Sequence, residues 1–304
     1  ALHLADRSRW FAYEGRHTRS RWDYYRWSRG RGGSGILAMN NDFNRIGTEF
    51  ANTVAISHDP VDTSVTPIAL LYSGGKDSTA CLKILREQGL LDQTCVVWTN
   101  TGDAYPETLA LMQRTRDAVP HFCEVCTNVL GWKQENGIPT DILPVSSTPI
   151  WRIAYGATAP AMVLPSACCG ANLWMPMFNF LAQSGFKIVV RGEKNCDVPR
   201  GPIRNMQIVN GMTYLLPLED WSDADVVAYL GDELPDHYTQ GAMTSLDCLH
   251  CTGYMDEIAK KSDYLRREYP EVWKDISQSL RAILAAVNNE AKIMARLVEK
   301  TDAE

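Results

Sequence analysis

Short apolar runs alternate with amphipathic segments through the middle of the chain, a pattern typical of a parallel α/β sheet. Residues 68–72 form an apolar run that predicts a buried strand, and residues 79–88 follow with apolar side chains at helical spacing. Further strands are predicted at 94–98, 122–126, 142–145 and 187–191, and further helices at 106–119, 175–183 and 222–230. We therefore predict a doubly wound, mostly parallel sheet, whose ligands bind at the carboxyl ends of the strands.

Four segments of different character divide the 304 residues. Residues 1–38 form a predicted arm, and residues 39–66 a helix followed by a linker. Residues 67–235 form the predicted α/β domain, and residues 236–304 contain a Cys-x-x-Cys segment and a helical C-terminal region. This length allows one large domain with a small appendage.

The arm is basic and the remainder of the chain is acidic. Residues 1–35 hold eight arginines, no lysine and three acidic residues, although the net charge of the whole chain is −6. Arginines interleaved with aromatic side chains are typical of a segment that binds nucleic acid. The segment can also be an upstream extension, with Met39 as the natural start. We favour this second interpretation because the residues of the arm show no regular helical or strand periodicity.

Composition argues against a membrane protein. No run of 18 apolar residues occurs, and arginines interrupt the first residues, where a signal peptide would need an apolar core. Without an export signal, the nine cysteines are expected to stay reduced and to serve metal binding or catalysis. We therefore expect a soluble, cytoplasmic protein.

The segment Ser73-Gly-Gly-Lys-Asp-Ser78 is the strongest candidate for a phosphate-binding loop. It lies between a predicted strand and a predicted helix, whose free N–H groups and positive dipole end attract anions. Gly74 and Gly75 permit a tight turn and a close approach of the ligand, and Lys76 adds a positive charge. The spacing differs from that of the Walker A loop.

This segment resembles the PP-loop of the ATP pyrophosphatases, and the wider chain resembles the phosphoadenosine phosphosulfate (PAPS) reductase branch of that superfamily. Similar stretches lie between residues 70 and 252, including Thr101–Thr108, Arg191–Lys194 and Pro217–Trp221. The resemblance implies the adenine nucleotide alpha hydrolase-like PP-loop fold and an adenine nucleotide as ligand. The nucleotide-binding residues implied in this way are Ser73, Gly74, Gly75, Lys76, Asp77, Ser78, Thr101, Gly102, Arg191, Gly192 and Arg200.

Two features depart from that branch. Asn100 stands where the branch usually has an aspartate before Thr-Gly, which puts the role of that acid in doubt. Lys76 is retained although true reductases tend to have lost this form of the loop, because their substrate carries no β,γ-diphosphate. The retained lysine favours ATP over adenylyl sulfate or PAPS.

Two cysteine pairs predict a metal centre. Cys168-Cys169 and Cys248-Leu-His-Cys251 together supply four thiolates, which can hold zinc or a [4Fe–4S] cluster. Adjacent cysteines suit a cluster that offers an iron to each thiolate better than they suit one tetrahedral ion. The pattern is similar to that of adenylyl-sulfate reductases and DNA-thiolation proteins, which implies a [4Fe–4S] cluster here.

The other cysteines have different environments. Cys123 and Cys126 fall on opposite faces of a predicted strand, which indicates packing, and Cys81 and Cys95 are predicted core residues. Cys196 lies in a loop rich in arginine, where positive charge would activate a thiol. An inert loop cysteine remains the favoured interpretation. The C-terminal cysteine that assimilatory reductases use is absent, since no cysteine follows Cys251.

We therefore expect an ATP-using [4Fe–4S] enzyme of sulfur metabolism, which adenylylates an acceptor, releases pyrophosphate and transfers sulfur. Catalytic roles are assigned to Lys76, Asp77, Arg191, Lys194 and Cys196. A PAPS or adenylyl-sulfate reductase and a non-catalytic nucleotide sensor remain alternatives. We also expect Mg²⁺, a sulfur donor such as a cysteine desulfurase or a thioredoxin-like protein, and a homo-oligomer. Nucleic acid is a further partner in the interpretation of residues 1–38 as a binding arm.

Overall fold

The computed structural model describes the backbone of Thr53–Ser57 and then residues 61–301, except 157–159, 199–200, Met243, Ser245 and Asp247. The described residues all belong to one compact unit that spans residues 43–304. Two predictions, the arm at 1–38 and the first part of the helix expected within 39–66, concern residues outside this range. Within it, the segment Thr53–Ser57 is a strand (β1) and not part of a helix, consistent with its β-branched residues.

A seven-stranded sheet with the order β1-β4-β3-β2-β7-β9-β8 organises the fold. Its central strands are β2 (Ile68–Leu71), β3 (Thr94–Asn100), β4 (His121–Thr127), β7 (Ile188–Val190) and β9 (Met212–Leu215). These five run parallel to one another, whereas β1 and β8 (Gln207–Val209) pair antiparallel with β4 and β9 at the two edges. A separate parallel pair joins β5 (Ile138–Pro139) to β6 (Met162–Val163). The predicted doubly wound, mostly parallel sheet is confirmed.

Helices follow most of the strands. They are α1 (Lys76–Glu87), α2 (Pro106–Ala118), α3 (Val129–Asn136), α4 (Pro149–Tyr155), α5 (Pro165–Cys169), α6 (Met175–Ser184), α7 (Asp223–Leu230), α8 (Met255–Glu268) and α9 (Pro270–Thr301). A single π-helical turn, Gly170–Trp174, connects α5 to α6. Ser222 and Asp225 form a capping box at the start of α7. In the part of the chain that the structure describes, no helix is long and apolar enough to cross a membrane.

The predicted strand at 142–145 is wrong. Residues Val145–Ser147 form a 3₁₀ turn, and Ile142, Leu143 and Pro144 line a groove against the C-terminal half of α9. The apolar run therefore contacts a helix instead of entering the sheet. Pro144 also lacks the N–H that a strand within a sheet would donate.

The two faces of the sheet are covered by different helices. Leu70 and Val96 face Ala80 of α1 and Val226 of α7 on one side. Ala69, Val97 and Val125 face Phe180 and Leu181 of α6 on the other side. Cys81, Cys95 and Cys123 are fully buried in these two layers, as predicted, while Cys126 is half-buried.

The C-terminal helices form a third apolar cluster next to the sheet. Ile258 and Leu265 of α8 pack with Tyr105, which precedes α2, and with Ile276 of α9. Thr252 and Gly253, which lead into α8, contact Pro139 and Pro165. The Cys-x-x-Cys segment is thus held between the sheet domain and the C-terminal helices.

Candidate functional site

The predicted phosphate loop connects β2 to α1 at the carboxyl edge of the sheet. Gly74 has a positive φ of 78°, which glycine adopts more readily than other residues. A Cβ at this position would also lie 3.0 Å from the Met112 side chain, so both the backbone conformation and the available space favour glycine. Ser78 donates its hydroxyl hydrogen to the Gly75 carbonyl at 3.0 Å. The Lys76 N–H, in the first turn of α1, donates to the Tyr238 hydroxyl at 3.2 Å. The loop is therefore tightly held, with backbone N–H groups at a helix start.

Lys76 belongs to a network of ammonium and carboxylate groups. Its Nζ lies 2.8 Å from Asp77 Oδ2 and 2.9 Å from Asp223 Oδ1. Burial lowers the pKa of Lys76, but the hydrogen bonds to Asp77 and Asp223 outweigh this and raise the pKa overall. Lys76 is therefore a fully charged cation at neutral pH.

Lys194 completes this network from the loop after β7. Its side chain is 1% exposed, and its Nζ lies 2.7 Å from Asp77 Oδ1 and 2.9 Å from Asp197 Oδ1. Burial lowers the pKa of Lys194, while the bonds to the two aspartates raise it by more. Lys194 thus contacts the phosphate loop through Asp77, and it does not line the cavity described below.

The Arg191-Gly192 segment lies against the phosphate loop. A Cβ on Gly192 would approach the backbone carbonyl carbon of Asp77 to 2.8 Å, so this contact requires glycine. Arg191 forms an ion pair with Glu193 and lines the cavity next to Ser73. Arg200, the remaining arginine predicted to bind the nucleotide, lies outside the described residues.

The turn after β3 explains the departure at Asn100. The Asn100 side chain donates to Glu124 Oε1 at 2.8 Å and accepts from the Gly102 N–H at 2.9 Å. An aspartate in this position would face the Glu124 carboxylate. Thr101, which follows, is buried and turns toward the Cys-x-x-Cys segment, where its hydroxyl lies 3.3 Å from Cys248 Sγ.

A cavity of about 360 Å³ joins these regions. Ser73, Thr101 and Arg191 contribute from the loops that follow β2, β3 and β7. The predicted metal ligands line the same cavity: Cys168, Cys169, Cys248 and Cys251. The size is that of a small-molecule site, and the position is the carboxyl end of the parallel strands.

The four cysteines come from two places that the fold brings together. Cys168 and Cys169 end α5, and Cys248 forms an isolated antiparallel bridge with Ala104. Polar groups surround the sulfurs: the Gly253 N–H donates to Cys251 Sγ at 3.4 Å, and the Tyr254 hydroxyl lies 3.7 Å from Cys169 Sγ. Within the described ranges, no three His, Cys, Asp or Glu side chains converge on a position for a single metal ion.

A buried ion network lies behind the thiols. Asp103 accepts from His250 through the ring Nδ1 at 2.7 Å, and its carboxylate lies 3.4 Å from Lys133 Nζ. Burial raises the pKa of Cys168 to about 12 and also raises that of Cys248, while the Lys133 charge acts in the opposite direction on both. A metal that binds here must displace thiol protons, which the nearby ammonium makes easier.

Cys196 lies apart from this cavity. Its side chain is exposed, its Sγ lies 3.5 Å from the Trp221 carbonyl oxygen, and it does not line the cavity. Sequence reasoning gave no site role to Asp103, Lys133, Tyr238 or Asp223. Asp103 lies within the stretch Thr101–Thr108 that resembles the PAPS reductase branch, whereas Lys133 and Tyr238 belong to no recognisable motif. It also missed Lys261 of α8, which lines the cavity. The sequence does place this lysine on the apolar face of a helix, and that unusual position could have indicated a functional role.

Together, the parallel sheet, the phosphate loop and the cavity define an α/β PP-loop protein. The model of the phosphoadenosine phosphosulfate reductase domain matches residues 67–254, and the chain belongs to this family. Family membership supports an enzyme that binds an adenine nucleotide. No curated protein matches the chain.

Several solved structures are similar to the chain at low sequence identity. The phosphoadenylyl-sulfate reductase from Candida auris is 14% identical, with a TM-score of 0.42 over 74% of this chain and 100% of that one. The U34-tRNA thiolase NcsA from Methanococcus maripaludis, solved with its [4Fe–4S] cluster, is 14% identical, with a TM-score of 0.36 over 81% and 79%. The NH₃-dependent NAD synthetase from Campylobacter jejuni is 11% identical, with a TM-score of 0.37 over 83% and 94%.

Proposed function

We propose that the chain is an ATP-dependent sulfur-transfer enzyme with a [4Fe–4S] cluster. One observation carries the proposal: the phosphate loop residue Ser73 and the four predicted cysteine ligands line one cavity of about 360 Å³. A nucleotide on the loop and a sulfur species near the thiols would then meet within a single enclosed space. Nine free thiols suit a reducing, cytoplasmic environment.

The donor set fits an iron–sulfur cluster. Four thiols share one cavity wall, and N–H and O–H groups lie beside their sulfurs, as at the Gly253 N–H and the Thr101 hydroxyl. No single-ion arrangement exists among the described residues, and a cluster, which offers a separate iron to each thiolate, does not require one. When bound, the cluster would provide a place to hold sulfur during transfer.

The loop residues would act on ATP. An acceptor oxygen attacks the α-phosphorus, the bond to the bridging oxygen breaks, and pyrophosphate leaves with that electron pair. Lys76 would exchange Asp77 and Asp223 for the phosphate oxygens, and Mg²⁺ would neutralise the remaining charge. Sulfide supplied by a donor protein then attacks the activated carbon of the acceptor, the C–O bond breaks, and AMP leaves with that electron pair. A persulfide in the same role would leave a disulfide between acceptor and donor, which a second thiol of the donor would reduce. Arg191, which lines the cavity, would hold the acceptor or the distal phosphate.

A reductase of PAPS or adenylyl sulfate is the second candidate, because the matching family model carries that description. Such a reaction needs a thiolate that reaches the sulfate sulfur. The exposed Cys196, outside the cavity, is poorly situated for this role.

The test compares two substrates on cluster-reconstituted protein. With ATP and Mg²⁺ we expect AMP and pyrophosphate, slowly even without an acceptor because water in the cavity can take its place. With adenylyl sulfate or PAPS and thioredoxin we expect no sulfite. Sulfite without pyrophosphate would establish the reductase, and neither product would favour a nucleotide sensor. Lys76→Ala serves as the control that should be inactive. Lys274→Ala, which changes an exposed lysine on α9, serves as the matched control that should stay active.

A further inference from the structure

Helix α8 contributes a buried lysine to the cavity. Ile258, Lys261 and Leu265 follow one another at spacings of three and four, so that they share the apolar face of the helix. Ile258 and Leu265 belong to the C-terminal apolar cluster, yet the position between them carries an ammonium group. Lys261 is 4% exposed and lines the cavity together with Ser73 and the four cysteines.

Lys261 has no direct ion pair within the described part of the chain. Its Nζ lies 5.9 Å from the centroid of the Tyr105 ring. Glu257, one turn earlier, lines the same cavity and attracts Lys261 at longer range, but its carboxylate is bonded by Lys260 at 2.6 Å and by Thr244. Burying an ammonium without a direct ion pair is costly, and a ligand oxyanion in the cavity would offset that cost.

The other cations of the cavity differ in this respect. Lys133 is paired with Asp103, and Arg191 is paired with Glu193. Lys261 is therefore the cation of the described cavity wall that lacks a direct ion pair. A charge in this state attracts an oxyanion that can displace water and form a charge-assisted hydrogen bond.

We propose that Lys261 binds an oxyanion, a carboxylate or a phosphate, carried by the second substrate of the cavity. Lys261 belongs to α8 and not to the phosphate loop, so we assign its ligand to the second substrate and not to the phosphates of the nucleotide. The cavity volume of about 360 Å³ limits that ligand to a small molecule. The identity of this ligand as the sulfur acceptor rests on the proposed function, whereas the anion site itself does not.

The test measures anion binding directly. Full-length, cluster-reconstituted protein is first saturated with Mg²⁺ and an ATP analogue that has a methylene bridge between the α- and β-phosphates, which blocks the phosphate loop. Inorganic phosphate and, in a separate arm, acetate are then titrated by calorimetry. The variants are Lys261→Met and Lys261→Gln, which remove the charge, Lys261→Arg, which keeps it, and Lys274→Met as an exposed control.

We expect at least one of the two anions to bind the wild type, and the arm that binds identifies the ligand as phosphate-like or carboxylate-like. The affinity should fall at least tenfold, about 1.4 kcal/mol, in both charge-removing variants. It should be kept in Lys261→Arg and in Lys274→Met. Equal affinity in wild type and Lys261→Gln, or no binding of either anion to the wild type, would overturn the proposal.

Two further measurements, nucleotide affinity and melting temperature, distinguish this inference from the proposed function. Lys261→Met should keep the affinity for the ATP analogue within twofold, because its side chain is not part of the phosphate loop. It should also melt at the same temperature as the wild type or higher, since a methionine fits an apolar helix face without the cost of a buried charge. If the wild type releases no pyrophosphate but binds the anion through Lys261, the proposed sulfur-transfer function is wrong and the anion site is confirmed. If pyrophosphate is released while Lys261→Met and wild type bind the anion equally, the anion site is wrong and the proposed function is supported.

Discussion

The Nζ atom of Lys194 lies 2.7 Å from Oδ1 of Asp77, and this contact fastens the loop after β7 to the first turn of α1. The two residues are 117 positions apart, so the contact connects two of the loops that form the carboxyl edge of the sheet. Gly192 reinforces it, because the same loop approaches the Asp77 backbone too closely for a side chain. The position of the phosphate loop therefore depends on a buried lysine that lies outside the cavity.

Replacement of Lys194 by methionine should destabilise the fold. Asp77 and Asp197 would lose their buried cation, and breaking a buried ion pair typically costs about 3–5 kcal/mol, less here because both carboxylates reach solvent. We expect a loss of about 2–4 kcal/mol in the free energy of unfolding, measured by denaturant titration. Lys187→Met, an exposed lysine just before β7, should change stability by no more than about 0.5 kcal/mol. Equal stability of Lys194→Met and wild type would contradict this role.

The Lys76→Ala variant should weaken ATP binding or turnover by roughly 2–4 kcal/mol, the scale of one charge-assisted contact in a site. Its folding should change less, because Asp223 is exposed and can be solvated when its partner is removed. Calorimetric ATP titration of Lys76→Ala, beside Lys274→Ala, measures the difference. Unchanged affinity and turnover would mean that the loop does not bind phosphate through this lysine.

The lowered pKa of Glu107 should make the free energy of unfolding depend on pH. Its carboxylate accepts from the Tyr264 and Tyr269 hydroxyls, which joins α2 to the C-terminal helices. Burial raises the pKa of Glu107, but these hydrogen bonds lower it by more, so the folded value lies below the usual one. A lowered pKa stabilises the fold above the unfolded value of about 4.3, and this stabilisation is lost as pH falls through the folded pKa.

The Glu107→Gln variant tests this dependence. At pH 7 it should be less stable than the wild type by about 1.5–3 kcal/mol, the range for a hydrogen bond to a charged group. The difference should shrink below about pH 4, where the wild-type carboxyl becomes protonated. Asp263→Asn on α8, at an exposed position, serves as the control and should show no such trend. A gap that stays constant from pH 7 to 3 would show that the carboxylate charge does not matter.

The sheet and the phosphate loop could be predicted because their signals are local. Apolar runs mark β2 and β3, and the glycines before Lys76 mark the turn between strand and helix. The hairpin of β8 and β9 was missed although Asn210 and Gly211 carry the expected turn signal, with φ values of 51° and 78°. That omission was avoidable.

The rest of the site depends on contacts between distant segments. Asp103 pairs with His250, which is 147 residues later, and no spacing rule connects them. Lys261 occupies a position that the helical pattern assigns to the core, and its meaning appears only when the cavity beside it is known. The run at 142–145 is apolar because it packs against α9, a contact that a local pattern cannot distinguish from a strand.

Single changes of Cys168, Cys169, Cys248 or Cys251 to serine should remove or cripple the iron–sulfur cluster. Anaerobically purified wild type should contain about four irons per chain, since the cluster gives each thiolate its own iron. Iron and sulfide analysis of each variant measures the loss, with the exposed Cys196→Ser and the buried Cys123→Ser as controls that should keep their iron. Stoichiometric zinc in place of iron, in aerobic and anaerobic preparations alike, would overturn the cluster assignment.

The reaction class can be decided at Cys196. Because this thiol is exposed and lies outside the cavity, we expect Cys196→Ser to release pyrophosphate from ATP at the wild-type rate. Sulfite release from adenylyl sulfate requires a thiolate that attacks the sulfate sulfur and is later reduced by a second thiol. The cysteines that line the cavity are the proposed cluster ligands, so wild type and variant alike should yield no sulfite with thioredoxin. Sulfite that forms with the wild type and disappears in Cys196→Ser, without pyrophosphate from ATP, would establish the reductase instead. In that case the loop that contains Cys196 would have to close over the bound nucleotide.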